Sequence, residues 1–275
     1  MNRIVATPAF RQLLEELHIP DIAVCLAKIE QDFPEACADA SVFLEKYQSF
    51  RKVSMAAEDE LRALTRAAVE MVRPEAPAWD RIAARLLAHH FAWELSQQEA
   101  QRGLRGFYDK LRYLETEHLY GSYILEHYTQ EELQAAAGFL DEARNELYSY
   151  AGLDLLLSRY VIRDHQGTAL ESPQEMYLGI ALHLAMQEDH AVRLTWVREF
   201  YDMLSLQQVT MATPTLANAR KPYHQLSSCF CRYGAGFSGG DLPQSGFVCQ
   251  GQQMGRRHGT LFRQGPCDRL GNPRL

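Results

Sequence analysis

The chain has 275 residues, 47% of them hydrophobic and 23% charged, enough apolar material for one large or two modest domains around a buried core. A formal charge of −7 and a pI near 5.8 exclude a general basic surface for nucleic acid or anionic membrane, leaving small molecules and proteins as the expected partners. No window approaches the eighteen apolar residues of a membrane span and "MNRIVATPAF" lacks the apolar core of a secretory leader, so no membrane partner is expected and the cytoplasm is the default compartment.

In chain order, apolar residues recur at helical spacing from residue 1 to about 205 with few Gly or Pro interruptions, which predicts a mostly α chain. The six cysteines are too sparse and irregular for a disulfide scaffold, so they are expected to be thiols, with Cys25 and Cys37 in the core. "DRIAARLLAHHFAWEL" places Ile82, Leu86, Leu87 and Phe91 on one stripe, and Met176, Ile180 and Leu184 recur every four residues. His89, His90 and His183 lie on or beside such faces and are expected to be satisfied structural residues, not ligands.

Two helix starts are legible in side-chain chemistry. In "YTQEEL", Thr129 can accept from the amide of Glu132 while that glutamate reaches back, a capping box. Ser172 and Glu175 repeat the pattern in "ESPQEM", where Pro173 takes the first helical position at no cost in hydrogen bonding. Glu131, Glu132, Asp141 and Glu142 read as a solvated helix face, and no metal site is expected. Between the two caps, "SRYVIRDHQGTALE" predicts a short hairpin around His165-Gln166-Gly167.

After Leu206 the pattern changes. Pro214 and Pro222 predict extended backbone before each of them, and "QLSSCF" predicts a short strand ending beside Cys229. Taken alone, Cys229 would be a small buried hydrophobe, Thr-Pro-Thr turn punctuation and Ser-Ser uninformative. From Cys231 onward the chain holds ten of the seventeen glycines and six arginines, with no Ile, Lys or Glu, too little periodic apolar surface to offset its ordering entropy.

"TPTLANARKPYHQLSSCF" resembles a segment of the class I ribonucleotide reductase large subunit whose family pattern is T-P-T-x-x-N-A-G-x-x-x-x-Q-L-S-S-C-F. The S-Y-x-G-L and E-S-P-Q-x-M signatures precede it in the family's order, and the likeness covers roughly residues 53 to 230. The resemblance implies a mostly α fold: an amino-terminal helical domain, then the first strand of a ten-stranded α/β barrel that these residues leave incomplete. It divides the chain into a helical region at 1–110, partly similar to a degenerate ATP-cone, a helical reductase domain at 111–206, the start of the barrel at 207–230, and a tail at 231–275.

The implied activity is reduction of ribonucleoside diphosphates to deoxyribonucleotides by thiyl-radical and dithiol chemistry, for DNA precursor synthesis. Cys229 matches the cysteine of the reducing pair near the 2′ hydroxyl, a thiol able to give up electrons and end in a disulfide reducible by exchange. Thr213 and Ser228 match positions beside the substrate's diphosphate and ribose, where hydroxyls can hold phosphate oxygens. The resemblance implies no cofactor in this chain, a radical-generating metal cofactor in a partner small subunit, thioredoxin or glutaredoxin as reductant, ATP and dNTP effectors, and a homodimer. The rival readings are a helical nucleotide-sensing or adaptor module without redox activity, and a structural helical protein with an incidental "SSCF".

Two departures follow. The Lys-Arg-Asp-Gly type strand of an ATP-cone does not appear, although the helices from residue 57 to 95 are similar to the cone's later part, and this leaves overall activity control by ATP and dATP an open question. After Phe230 the expected glycine-rich strand, the radical cysteine and the partner cysteine do not follow. Back-translating "QQMGRRHGTLFRQGPCDR" and dropping one nucleotide permits S-K-W-G-G-G-M-G-L-Y-F-G-K-V-R-A-I-G, which resembles the family's continuation. The tail is therefore expected to be an out-of-frame translation, with Cys231, Cys249 and Cys267 there by chance and no metal role.

Overall fold

Helices form where apolar residues recur every three to four positions. The computed structural model describes residues 22–227 apart from 39 and 53, isolated positions at 12, 13, 17 and 19, and segments 230–233 and 247–250. The helix α1 (Ile22–Asp32) buries Ile22, Leu26 and Ile29. After the single turn α2 (Pro34–Cys37), α3 (Ala40–Phe50) buries Phe43, Leu44 and Tyr47. Three acidic residues, Glu58, Asp59 and Glu60, open α4 (Ala57–Glu70) against the positive end of the helix dipole. α5 (Ala78–Arg102) is the longest of the described helices, and it stops at Gly103, whose left-handed φ of 67° lets the last turn close without a Cβ clash.

α5, 25 residues long, contributes to two cores. Ile82, Ala83 and Leu86 pack with α1, α3 and α4 around Trp79, whose ring lies 5.1 Å from that of Phe43. Phe91 and Leu95, one to two turns on, join the second core instead. That core is built from α6 (Phe107–Thr116), α7 (Ser122–His127), α8 (Gln130–Ala137), a 3₁₀ segment (Glu142–Leu147), α9 (Tyr150–Arg159), α10 (Pro173–Ala185) and α11 (His190–Ser205). The predicted stripe on α5 is thus split between two cores, and Leu87 is only partly buried.

α10 is not amphipathic. Met176 and Ile180 are buried as expected, but so is nearly the whole surface from Pro173 to His183, with Leu184 only partly covered. A helix buried on every side shows no polar face in its sequence. Both capping boxes are present, with Thr129 Oγ1 accepting from Glu132 N at 3.2 Å and Ser172 Oγ from Glu175 N at 3.1 Å. The hairpin around Gly167 is a tight turn with one isolated bridge, Arg163 to Ala169. Asp164 Oδ1 accepts from the amides of Gln166 and Thr168, and Gly167 has φ 89°.

The proline prediction needs correction at Pro214. Thr213 is helical, the first residue of α12 (Thr213–Asn218), and the extended residue is Ala212. Proline sits in the first turn, where its absent N–H is not missed, and this outweighs the β preference of the residue before it. Strand β1 runs over Phe230–Tyr233, and its antiparallel partner is β2 (Phe247–Gln250). Gln225 to Ser227 carry no regular structure, and a two-stranded ribbon is not a barrel.

Candidate functional site

The site candidate residues fall on the chain that leaves α11. α12 then presents Thr213 at the surface, with its Oγ1 3.1 Å from the hydroxyl of Tyr160, the residue that ends α9. Ser228 and Cys229 lie outside the described residues.

Beneath Thr213 the segment is anchored by Arg220, whose side chain is 0% exposed and forms an ion pair with Glu171, 1% exposed. Arg220 Nε lies 3.0 Å from each carboxylate oxygen of Glu171, Nη1 donates to Leu216 O at 2.7 Å, and Nη2 donates to Tyr160 O at 2.7 Å and also to Glu171. Glu171 Oε1 further accepts from Ile162 N at 2.7 Å. Burial presses the Arg220 guanidinium toward neutrality, but attraction to Glu171 holds its pKa above the ordinary value. A buried pair is stable only with this degree of hydrogen-bond satisfaction. α10 admits the arrangement through Gly179, where a Cβ would fall 2.0 Å from Tyr120 Oη and 3.0 Å from Arg220 Cδ.

Beside this anchor, Tyr123 donates its hydroxyl to Ala219 O and lies 3.0 Å from His183 Nδ1. Because the single phenol proton is used on Ala219, the network assigns the proton between Tyr123 and His183 to Nδ1, the neutral tautomer. Burial, followed by the nearby His224, pushes His183 down to about 4. His183 is thus the structural histidine expected. His90 is also buried, with Nε2 3.0 Å from Glu94 Oε1.

The sign of the His183 effect is fixed: its folded-state pKa is below its ordinary 6.5, so its contribution is fully present above pH 6.5 and is lost as pH falls from there toward 4. Urea denaturation followed by circular dichroism should show about 2–3 kcal/mol lost over that interval beyond the loss in His183→Gln.

A second polar cluster lines a cavity of 640 Å³ between α1, α5 and the start of α10. Lys110 donates to Glu175 at 2.6 and 2.7 Å and to Glu99. Burial pushes Glu175 up to about 7 against the pull of Lys110. Burial disfavours the Lys110 ammonium, but Glu175 and Glu99 together raise its pKa. Glu142 corrects the solvated-face expectation: although much of the residue is exposed, its carboxyl sits on the cavity wall. It accepts from Ser172 Oγ and Asn145 Nδ2 at 2.7 Å each, and enclosure there raises its pKa. Cys37 is a free thiol in the core as expected, whereas Cys25 is only partly buried and lines the cavity; burial pushes both thiols up to about 12. Among the described residues no three His, Cys, Asp or Glu side chains gather as a metal site, and no helix is long and apolar enough to cross a membrane.

Sequence reasoning passed over Arg220, Glu171 and Tyr160. The available signal was Arg220 itself, which stands where the N-A-G of the family pattern has glycine.

Residues 146–224 match the family described as ribonucleotide reductase, all-alpha domain, a span that holds Tyr160, Glu171, His183, Thr213 and Arg220. The chain is 47% identical over 205 residues to the ribonucleoside-diphosphate reductase subunit alpha of Treponema pallidum, covering 74% of this chain and 24% of that subunit. The subunit of the same name from Synechocystis is 37% identical over 166 residues, 59% of this chain and 20% of the relative. Subunit alpha of reductase 1 from Escherichia coli is 30% identical over 167 residues, 60% of this chain and 22% of the relative. The chain thus spans about a quarter of the length of the curated relatives it matches. With the all-alpha match lying over the helices that hold Thr213 on its buried anchor, this chain is similar to the amino-terminal part of ribonucleoside-diphosphate reductase alpha subunits.

Proposed function

We propose that this chain supplies the amino-terminal helical part of a reductase that converts ribonucleoside diphosphates to deoxyribonucleotides for DNA precursor synthesis. The all-alpha match ending at residue 224 carries this reading, because it adjoins "QLSSCF" in the order and spacing of the family pattern. In this reading Thr213 and Ser228 hold the diphosphate and ribose, and Cys229 is one of the two thiols that reduce the 2′ carbon. The segment from Gln225 to Phe230 leads into the first strand of the catalytic barrel. A small subunit carrying a radical-generating metal cofactor starts the chemistry, and thioredoxin or glutaredoxin restores the thiols. ATP and dNTP effectors and the homodimer belong to the full-length assembly, in the cytoplasm.

The same reading assigns residues 231–275 to an out-of-frame translation. Residues 1–275 alone should therefore form no deoxynucleotide, while the product of the gene with its frame restored after codon 230, mixed with the small subunit, should form it from nucleoside diphosphates. An intact frame through the tail without a reductase-like continuation in the neighbouring frame would remove the tail assignment. No product from the restored subunit would remove the reductase reading.

A further inference from the structure

We propose that Tyr160 is a positioning residue for the substrate's phosphate, orienting the Thr213 hydroxyl while Arg220 fixes the two backbones that carry them. This rests on the reductase reading of Thr213.

The tyrosines of the second core show what sets Tyr160 apart. Tyr128 donates to Leu182 O, Tyr201 to Gln174 Oε1 and Tyr148 to the hydroxyl of Tyr177, all internal partners. Tyr160 is buried as well, though nearer the surface than these, and its hydroxyl meets the side chain of an exposed residue, Thr213. A phenol is a stronger donor than an aliphatic alcohol, so the favoured sense has Tyr160 donating to Thr213 Oγ1. The Thr213 proton is then left for an incoming acceptor, and a donor chain that ends on an anionic oxygen is polarised along its length. A lone surface threonine would divide its hydroxyl among rotamers and water.

The 3.1 Å contact depends on the relative placement of α9 and α12, and one guanidinium sets it. Arg220 reaches Leu216 O within α12 through Nη1 and Tyr160 O at the end of α9 through Nη2. Because the fork is planar and rigid, neither backbone can shift without breaking a bond to the same group. Glu171, clamped to Ile162 N, holds the fork from the other side.

The test uses the full-length subunit with its small subunit. Tyr160→Phe should raise KM for nucleoside diphosphate about five- to tenfold with kcat within about twofold, as for loss of an orienting bond that acts alike on ground and transition states. Thr213→Val should raise KM at least as far, Thr213→Ser should keep most of the affinity, and Tyr160→Phe combined with Thr213→Val should be no worse than Thr213→Val alone. An unchanged KM in Tyr160→Phe, additive effects in the double variant, or a fall confined to thermal stability would overturn the proposal and assign the bond to packing. Cys229→Ser is the control: if it abolishes turnover while Tyr160→Phe does nothing, only this inference fails; if it leaves turnover intact, the reductase reading fails and takes this inference with it.

Discussion

In the full-length subunit, Cys229→Ser should lower deoxynucleotide formation by about a thousandfold or more, the scale expected when one member of a jointly reacting set is removed. The proposed step breaks the ribose C2′–O bond, releases the oxygen as water and places hydrogen on carbon. Two thiols supply the two electrons and become one disulfide. A hydroxyl can take the thiol's place sterically, but it cannot form that disulfide or be reset by thiol exchange. Substrate binding should survive, because the diphosphate contacts assigned to Thr213 and Ser228 remain. Nucleoside diphosphate affinity, measured by equilibrium dialysis, should stay within about threefold while product per subunit falls below one equivalent. Turnover near the parent level would show that Cys229 is not a redox thiol.

The second large effect is on stability. Arg220→Ala should cost about 3–5 kcal/mol, the range for breaking a buried ion pair by removing one partner. The loss is large because Glu171 is left buried with a charge and only the Ile162 amide among the partners described for it, while Tyr160 O and Leu216 O lose their donor. Against a total of about 5–15 kcal/mol for an ordinary domain, the variant should unfold near room temperature or accumulate as aggregate. Replacing both partners, Arg220→Met with Glu171→Leu, should recover much of the loss, since no uncompensated charge then remains. Urea denaturation followed by helical circular dichroism reads both outcomes. A cost below about 1 kcal/mol for Arg220→Ala would mean that water reaches the pair and that it anchors nothing.

How much of this was legible depends on the range of each interaction. The two capping boxes join residues three apart and follow directly from Thr129, Glu132, Ser172 and Glu175. The turn at Gly167 is likewise local. Pro214 was misread because two local rules compete there, and the helix-start rule prevails. Glu142 was assigned to solvent because its neighbours are acidic; its environment comes from Ser172, thirty positions away.

The sequence by itself determined the helical character, the two capped helix starts at Thr129 and Ser172, and the likeness that places Thr213 and Cys229 in a reductase pattern, since each rests on short-range periodicity or on residue order. Only the tertiary structure decided that Arg220 and Glu171, 49 positions apart, meet in the core, that α10 has no solvent face, and that Tyr160 reaches Thr213. A charged side chain looks solvated in any local window. Whether it is buried is decided by a distant partner that offsets its desolvation, and in this chain that pairing holds α12, with Thr213 at its start, against the end of α9.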